Sequence, residues 1–262
     1  MKKYCVLLLA LFINPDFSSA EEAQNPLQPR IVGGRNATQN EFPFVVAFIF
    51  EGVPECTGTI INPLKVLTAA HCMNGTKYDE WVLKAGFHVW NDPNAVVRYI
   101  SSVRIHRNFF GQRYWPFDIA LVDVTQPFEF NAAVQPVVLP KFRQKLRVGT
   151  QATFIGWGFI QFRPKIALPS VLQALEVVTI TKRRCSQSWT GLQRQICAYG
   201  PTGFEDSCYG DSGGPMMVGN VQWGLLALGA KNCTGVKPLT FLEVSRFRKW
   251  INRFSRIPGQ KN

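Results

Sequence analysis

Short apolar runs, separated by residues that favour turns, make up most of the chain. Each run is about five to eight residues long and rich in Val, Ile, Leu or aromatic residues, with Gly, Pro, Asn or Asp between the runs. The runs are PFVVAFIF, KVLTAA, WVLKAGF, IALVDV, QATFIGWG, ALEVVTI, PMMVG and QWGLLALG. Runs of this length and spacing are typical of sandwiches and barrels, so the chain is predicted to be all-β.

One long helix is predicted, near the C-terminal end of the chain. In the stretch VSRFRKWINRFSRI, residues 244–257, apolar residues recur at helical spacing. They are Val244, Phe247, Trp250, Ile251 and Phe254, and the other faces carry Arg246, Arg248, Lys249, Arg253 and Arg256. We interpret the apolar stripe as a core contact and the basic face as either solvated or anion-binding.

The N-terminus is typical of a secretory signal. The stretch MKKYCVLLLALFI places two lysines before an apolar run that is too short to span a bilayer, and SSA at 18–20 supplies small residues for cleavage. Residues 1–20 are therefore predicted to be a signal peptide, and the mature protein is expected to be secreted and extracellular. No later apolar run reaches the ~20 residues that a transmembrane helix needs, so no membrane span is expected.

The charge of the chain is strongly unbalanced. Its 262 residues include 29 Lys and Arg against 17 Asp and Glu, a formal net charge of +12. This excess favours polyanionic surroundings such as heparin-like sulfated glycans, nucleic acid or acidic proteins, although a role in solubility alone explains it equally well. No nucleotide-binding glycine loop or nucleic-acid-binding module accompanies the charge, so no nucleic acid partner is expected.

The cysteines indicate disulfides rather than metal binding. Of seven cysteines, Cys5 lies in the predicted signal peptide, and six remain in the mature chain: Cys56, Cys72, Cys185, Cys197, Cys208 and Cys233. An even set in a secreted chain suits three bridges, but the cysteines alone leave their pairing open. With no CxxC pair and three scattered histidines, no metal site is expected. Sequons predict glycosylation at Asn36 and Asn74, and a third, Asn232, overlaps a cysteine.

Three separated segments supply the residue types of nucleophilic catalysis. LTAAHC contains His71, FDIALV contains Asp118, and GDSGGP contains Ser212. A serine hydroxyl is a poor nucleophile at neutral pH unless a base takes its proton, and a carboxylate can orient and stabilise that base. Each residue alone has an ordinary structural explanation, such as a turn, a cap or an exposed side chain.

The motifs together resemble the chymotrypsin family of trypsin-like serine peptidases. IVGG at 31–34, TAAHC, DIAL, GWG at 156–158 and GDSGGP occur in the family's order, and the likeness extends from Ile31 to about Phe254. It implies two six-stranded antiparallel β-barrels with the active site between them and a C-terminal helix, so that 31–262 forms one peptidase domain. It also implies the disulfides Cys56–Cys72, Cys185–Cys197 and Cys208–Cys233.

The resemblance assigns a role to each catalytic residue. Ser212 is the nucleophile, His71 the general base and then acid, and Asp118 the residue that orients His71. The N–H groups of Gly210 and Ser212 form the oxyanion hole. The chain is thus expected to be a secreted serine endopeptidase that needs no cofactor.

The resemblance also implies activation by cleavage. Residues 21–30, EEAQNPLQPR, are expected to be an activation peptide that a trypsin-like protease removes after Arg30. The new ammonium group of Ile31 then pairs with the buried carboxylate of Asp211. A buried carboxylate without a partner is costly, so the pocket and oxyanion hole are expected to become well ordered after this cleavage.

Substrate preference is where the chain departs from the family pattern. The implied substrate-binding residues are Asp206 at the base of the primary pocket, Ser207 next to it, and Trp189 and Gly229 as pocket walls. Trp115 and Tyr209 are expected to crowd neighbouring subsites. A carboxylate at the base favours substrate Arg or Lys. However, Leu239 replaces a glycine that leaves room for a long side chain, and is expected to narrow the pocket or screen Asp206. Ala227 and Leu228 replace the family's Ser-Trp pair, removing a hydroxyl beside Asp118 and an aromatic floor.

Two functions therefore remain open. In the first, the protein is a zymogen of a serine endopeptidase that cleaves after Arg or Lys with an atypical pocket. In the second, it is a catalytically impaired, protease-like protein that binds sulfated glycans or acidic partners. Expected partners are protein or peptide substrates, the activating protease, protease inhibitors and heparin-like polyanions, for a chain expected to be a monomer.

Overall fold

A computed structural model describes residues 33–111, 115–160, 167–203, 205–229, 233 and 237–256. A two-residue strand comes first, and the next six strands form a closed antiparallel barrel in the order β2-β3-β4-β7-β6-β5. The bounds are β1 (Arg35–Asn36), β2 (Val45–Phe50), β3 (Val53–Asn62), β4 (Lys65–Thr68), β5 (Trp81–Ala85), β6 (Val96–Ile105) and β7 (Ala120–Val124).

The second half of the chain repeats this design. Six further strands close in the order β8-β9-β10-β13-β12-β11, with β8 paired to β9, and β1 adds to the outer part of β9. The bounds are β8 (Gln151–Gly156), β9 (Gln173–Ile180), β10 (Gln195–Tyr199), β11 (Pro215–Val218), β12 (Val221–Leu228) and β13 (Leu239–Glu243). The predicted fold of two six-stranded barrels is confirmed.

Helices are few in the part of the chain that the structure describes. They are α1 (Ala70–Met73), α2 (Lys182–Cys185) and α3 (Val244–Phe254), with 3₁₀ turns at Tyr78–Glu80 and Trp115–Phe117. None of the described helices is long and apolar enough to cross a membrane. The predicted C-terminal helix ends at Phe254, three residues earlier than expected, where the Ser255 N–H bonds to the carbonyl of Ile251.

Each barrel has its own apolar interior, and a third cluster joins the two barrels. Phe48, Ile60 and Leu67 are fully buried in the first barrel, and Phe154 and Phe241 in the second. Burying side chains of this size contributes roughly 1.5–3 kcal/mol each.

The seam between the barrels is built around Trp157. Its ring stacks on Phe87 with centroids 4.4 Å apart, and it belongs to one buried cluster with Ala47 of β2 and Met217 of β11. Helix α3 adds a second link, because its residues Phe247 and Ile251 follow β13 in the chain yet pack against the interior of the first barrel. The prediction that the apolar stripe of α3 contacts the core is confirmed.

Three disulfides join the cysteines of the described residues in pairs. They join Cys56 to Cys72, Cys185 to Cys197 and Cys208 to Cys233, the pairing that the resemblance implies. The first links β3 to α1, and the second links α2 to β10.

Candidate active site

His71 and Asp118 are held together by two hydrogen bonds. His71 lies in α1, which directly follows β4, and Asp118 lies between a 3₁₀ turn and β7. The backbone N–H of His71 donates to Asp118 Oδ1 at 2.8 Å, and His71 Nδ1 lies 2.6 Å from Asp118 Oδ2. Asp118 is 0% exposed, so its carboxylate is fixed in place. This geometry favours a proton on Nδ1 and leaves Nε2 as the basic nitrogen.

The pKa of His71 reflects opposing effects. Burial lowers the pKa of the ring, while the charge of Asp118 and its hydrogen bond raise it, and the net result is a pKa above the ordinary value of 6.5. About a fifth of the side chain, 22%, stays exposed. The imidazole can therefore exchange protons with a group that reaches it from solvent.

The backbone at Ser212 is tied to the disulfide that lies beside His71. The Thr57 N–H donates to the Ser212 carbonyl at 2.8 Å, and Cys72 Sγ lies 3.8 Å from the same oxygen. A ring nitrogen of His71 and the sulfurs of Cys56 and Cys72 all lie within 4.8 Å of one another. The fold thus brings Ser212 and His71 to the same disulfide, although 140 residues separate Cys72 from Ser212.

This Cys-His-Cys cluster is not a metal centre. The two sulfurs are bonded to each other. Metal coordination by cysteine requires thiolates, so the cluster offers one imidazole and no sulfur ligand.

The turn around Ser212 depends on glycine. Gly210 has φ +94°, and a Cβ there would stand 2.6 Å from the Pro54 carbonyl oxygen. The Thr57 hydroxyl donates to the Gly210 carbonyl at 2.8 Å and so fixes this peptide. Among the described residues, no acceptor takes the N–H of Gly210 or of Ser212. Both donors are therefore available for an oxygen that develops negative charge.

Asp211 is a fully buried carboxylate. Its oxygens accept the Gly158 N–H at 2.8 Å and the Cys208 N–H at 2.9 Å, and the side chain is 0% exposed. The pKa of Asp211 is raised from 3.8 to about 7, mainly by burial and also by the charge of Asp206, while the two N–H donors act in the opposite direction. No ion pair to Asp211 forms within the described part of the chain.

The residues at the base of the expected pocket are buried, and its walls touch. Asp206 is 0% and Ser207 3% exposed, and the Ser207 N–H donates to Asp206 Oδ1 at 2.8 Å. At Gly229, on the opposite wall, a Cβ would stand 2.0 Å from Ser207 Oγ and 3.3 Å from Asp206 Oδ1. Ser207 Oγ therefore lies against the Gly229 backbone, with no space for a side chain at position 229.

Comparison with known proteins identifies the architecture. A protein-family model described as Trypsin matches residues 31–251. The chain belongs to the trypsin family. Serine proteinase stubble of Drosophila melanogaster is 31% identical over 251 residues, an alignment that covers 86% of this chain and 31% of that protein. This chain thus spans about a third of that relative's length.

Solved structures agree on the fold. Human heparin binding protein matches with a TM-score of 0.75 and 22% identity over 88% of this chain and 99% of that one. Mouse neuropsin, described as a serine protease expressed in the limbic system of the brain, matches with a TM-score of 0.76 and 24% identity over 85% and 99%. At these identities the likeness establishes the trypsin-family fold.

The other expected substrate-binding residues of this trypsin-family chain are Trp189, Tyr209 and Trp115. Trp189 donates from Nε1 to the Pro238 carbonyl at 2.7 Å, which holds the segment that leads into β13. Tyr209 is 50% exposed at the rim. The backbone of Trp115 lies in the 3₁₀ turn that precedes Asp118.

Leu239 and the Ala227–Leu228 pair mark the departures from the family pattern. Leu239 is 1% exposed and packs with Phe241 in the interior of the second barrel, so its side chain is part of the core next to the pocket strand. Ala227 is buried, and the Leu228 carbonyl accepts a hydrogen bond from the Thr240 hydroxyl at 3.3 Å.

The two predicted glycosylation sites differ in their surroundings. Asn36 and Asn74 are both exposed. Asn36 accepts a hydrogen bond from Gln173 Nε2 at 2.9 Å, whereas Asn74 directly follows α1. Asn232, and the expected activation residues Arg30 and Ile31, lie outside the described residues.

Sequence reasoning missed two contributors to this site. Thr57 braces Gly210 and Ser212, and Gly158 donates to Asp211. Gly158 belongs to the GWG motif, where a glycine is needed because a Cβ would stand 2.3 Å from Asp211 Cγ. For Thr57 the sequence signal is its position next to Cys56.

Proposed function

We propose that this trypsin-family chain is a secreted serine endopeptidase, made as a zymogen and activated by cleavage after Arg30. The observation that carries the proposal is the pair of hydrogen bonds from His71 to the buried Asp118 carboxylate. A general base held this firmly, near a serine on a glycine-rich turn, suits acyl transfer rather than a structural role.

The proposed mechanism has two halves. Ser212 Oγ attacks the scissile carbonyl while His71 Nε2 takes its proton, and the protonated imidazole then donates that proton to the leaving amine. Water attacks the resulting acyl-enzyme, again with His71 as base, and releases the acid and Ser212. Asp118 stabilises the imidazolium in both halves.

The N–H groups of Gly210 and Ser212 would stabilise each tetrahedral intermediate. Each such donor typically contributes ~3 kcal/mol in the transition state. The Thr57 hydroxyl supports this role, because it holds the Gly210 carbonyl in place. This hydrogen bond fixes the peptide between Gly210 and Asp211, which lies between the two N–H donors.

Activation follows from the state of Asp211. An ammonium group delivered by Ile31 would pair with the Asp211 carboxylate and lower its pKa from about 7. The ionised pair would fix the segment from Cys208 to Ser212. Residues 21–30 would then act as the activation peptide and 1–20 as the signal peptide.

Substrate preference rests on Asp206. Its carboxylate would favour Arg or Lys at the cleaved bond, once Ser207 and Gly229 separate enough to admit the side chain. Leu239 stands where the resemblance implies a glycine that leaves room for a long side chain, and it would limit the depth of the pocket. Substrates would be proteins or peptides, and a trypsin-like protease would be the activator.

The test combines labelling with cleavage. The full chain is processed with a trypsin-like protease, and sequencing of the new N-terminus at Ile31 verifies the cut. A fluorophosphonate probe should then label Ser212, and a peptide library should be cleaved after Arg or Lys. Arg30→Gln, which is not processed, and Ser212→Ala, which has no nucleophile, should give neither signal.

A second candidate is a protease-like binding protein for sulfated glycans or acidic proteins. The contact between Ser207 and Gly229 favours it, because a pocket that stays closed cannot bind substrate. The net charge of +12 suits such partners, and one structure of this fold is that of a human heparin binding protein. Processed protein that shows neither labelling nor cleavage would support this candidate over the first. Labelling without cleavage would show an intact triad behind a closed pocket.

A further inference from the structure

We propose that the second barrel carries a sulfated-polysaccharide site, centred on a cavity lined by Lys145, Arg147, Lys182 and Arg246. We call these four residues the cavity cations. The cavity has a volume of about 180 Å³ and is also lined by Gln195 and Glu243. The inference requires only the folded chain. It locates the partner of the second candidate function, yet it holds equally for an active peptidase.

The cavity attracts anions and is large enough for a sulfate group. Glu243 is the acidic residue of its lining, and it pairs with Arg246 at 3.0 Å, so the described lining keeps an excess of three positive charges. A water molecule occupies ~30 Å³, so the volume corresponds to several waters. All four cavity cations have exposed side chains that a ligand can reach from solvent.

The backbone under the cavity cations is fixed on both sides. The carbonyl of Arg147 accepts hydrogen bonds from the hydroxyls of Thr150 and Thr179, at 2.7 and 3.0 Å. The helix that contains Lys182 is tied to β10 by the Cys185–Cys197 disulfide. Because the main chain is ordered before binding, less ordering entropy opposes the ligand.

Gln195 makes a hydroxyl-bearing polyanion a better fit than a simple anion. The residue is 3% exposed, and its Oε1 accepts no hydrogen bond from the described residues. A buried acceptor without a donor destabilises the protein by about 1–3 kcal/mol. A sugar hydroxyl can supply this donor if the carboxamide rotates, while a neighbouring sulfate meets the cations.

Two further cations, close in the chain to Lys145 and Arg246, share one aromatic ring. Arg143 and Lys249 both lie over the ring of Phe142, 5.2 and 4.7 Å from its centroid. Each exposed ion pair contributes little, so binding needs a ligand that spans several cations. These contacts also occupy the aromatic face on which a nucleic acid base would stack, which favours a glycan over single-stranded nucleic acid.

The test uses full-length Ser212→Ala protein, which removes any peptidase activity. Lys145, Arg147, Lys182 and Arg246 are all changed to Gln in one variant. The matched control changes Lys77, Lys84, Arg98 and Arg107 to Gln, so both variants lose the same charge. Binding of a fluorescent heparin octasaccharide is measured at several salt concentrations, and thermal unfolding verifies that both variants are folded.

We expect the cavity variant to bind heparin at least ten-fold more weakly than the parent and with a shallower salt dependence, while the control changes less than three-fold. Equal losses in both variants would overturn the site, because net charge alone would then explain binding. Tighter binding of single-stranded DNA or of anionic lipid vesicles than of heparin would overturn the choice of ligand. Since hydrolysis is not measured, neither result depends on the proposed peptidase.

Discussion

Asp118 accepts two hydrogen bonds from His71, one from its backbone N–H at 2.8 Å and one at its ring Nδ1 at 2.6 Å. The first positions α1 and the second selects the tautomer of the ring. An Asn at 118 keeps the size of the side chain but removes the charge and allows the wrong tautomer. We expect Asp118→Asn to lower kcat of the processed enzyme ~10⁴-fold, measured with a peptide substrate.

The control for this prediction lies in the strand that follows. Asp123 pairs with Lys65 and accepts a hydrogen bond from Ser102, away from His71. Asp123→Asn should therefore change kcat less than two- to three-fold. A loss below ten-fold in Asp118→Asn would mean that the carboxylate does not orient a catalytic base.

The buried carboxylate of Asp211 predicts a pH dependence of stability before processing. Its pKa is raised from 3.8 to about 7 in the folded chain, so folding favours the protonated acid. The contribution of Asp211 to the free energy of unfolding should be highest below pH 4 and should fall as pH rises from about 4 to 7. The change corresponds to at most ~4 kcal/mol. Urea unfolding of Arg30→Gln protein at pH 5 and pH 8 measures the part of this change that falls above pH 5.

Asp211→Asn is the matched variant for this measurement. It keeps the shape of the side chain and cannot ionise, so its stability should differ less between pH 5 and pH 8 than that of the parent. Processing at Ile31 should also reduce the difference, because the ammonium group would compensate the charge. If the Asn variant keeps the full pH dependence, Asp211 is not its source.

The contact between Ser207 and Gly229 predicts that a smaller side chain at position 207 strengthens ligand binding in the pocket. Ser207→Gly removes the hydroxyl that lies against the opposite wall, and with it part of the packing that favours the closed pocket. We expect binding of benzamidine, a small arginine mimic, to strengthen about five-fold in the processed protein, equivalent to ~1 kcal/mol. Ser186→Gly, an exposed serine after α2, is the control and should leave benzamidine binding unchanged.

The apolar runs predicted strands that are buried along most of their length, such as β2, β8 and β12. They missed β6, where residues alternate between half-buried and exposed and Ser101 interrupts the pattern. They also missed β3, whose Gly58 resembles a turn residue. A glycine is needed there because a Cβ would stand 2.6 Å from the ring of Phe48. Apolar runs alone thus miss strands that polar residues or glycine interrupt.

The residues of the candidate site that stand in a sequence motif could be predicted. The contacts between residues that are far apart in the chain could not. His71, Asp118 and Ser212 stand in short recognisable motifs. The brace from Thr57 to Gly210 joins residues that are 153 positions apart, and no local pattern indicates it. The contact of Ser207 with Gly229 depends on the relative position of two loops, which the sequence does not specify.

The pKa values of His71 and His106 are shifted in opposite directions from the ordinary value of a histidine. The pKa of His71 is above 6.5 because Asp118 outweighs the effect of burial. The pKa of His106 is below 6.5, first because of burial and then because of Arg107 and Arg194. In NMR titrations of Ser212→Ala protein, the ring signals of His71 should therefore change at higher pH than those of His106.

The raised pKa of His71 also determines how this residue contributes to stability as the pH changes. A raised pKa means that His71 stabilises the fold fully below about pH 6.5, and this contribution is lost as pH rises through the folded value. Asp118→Asn should move the His71 midpoint down and leave that of His106 in place. A His71 midpoint below that of His106 in the parent would contradict the assignment of Asp118 as its charged partner.

The disulfides Cys56–Cys72 and Cys185–Cys197 should have similar effects on stability and different effects on activity. They close loops of similar length, with sequence separations of 16 and 12, so replacing either pair by alanines should cost roughly 3 kcal/mol in unfolding free energy. Only Cys56–Cys72 lies against both His71 and the Ser212 carbonyl. We therefore expect its removal to lower kcat at least ten-fold in protein that is still folded, while loss of Cys185–Cys197 leaves kcat within about two-fold. Equal kcat in both variants would mean that the disulfide beside His71 stabilises the fold without positioning the nucleophile.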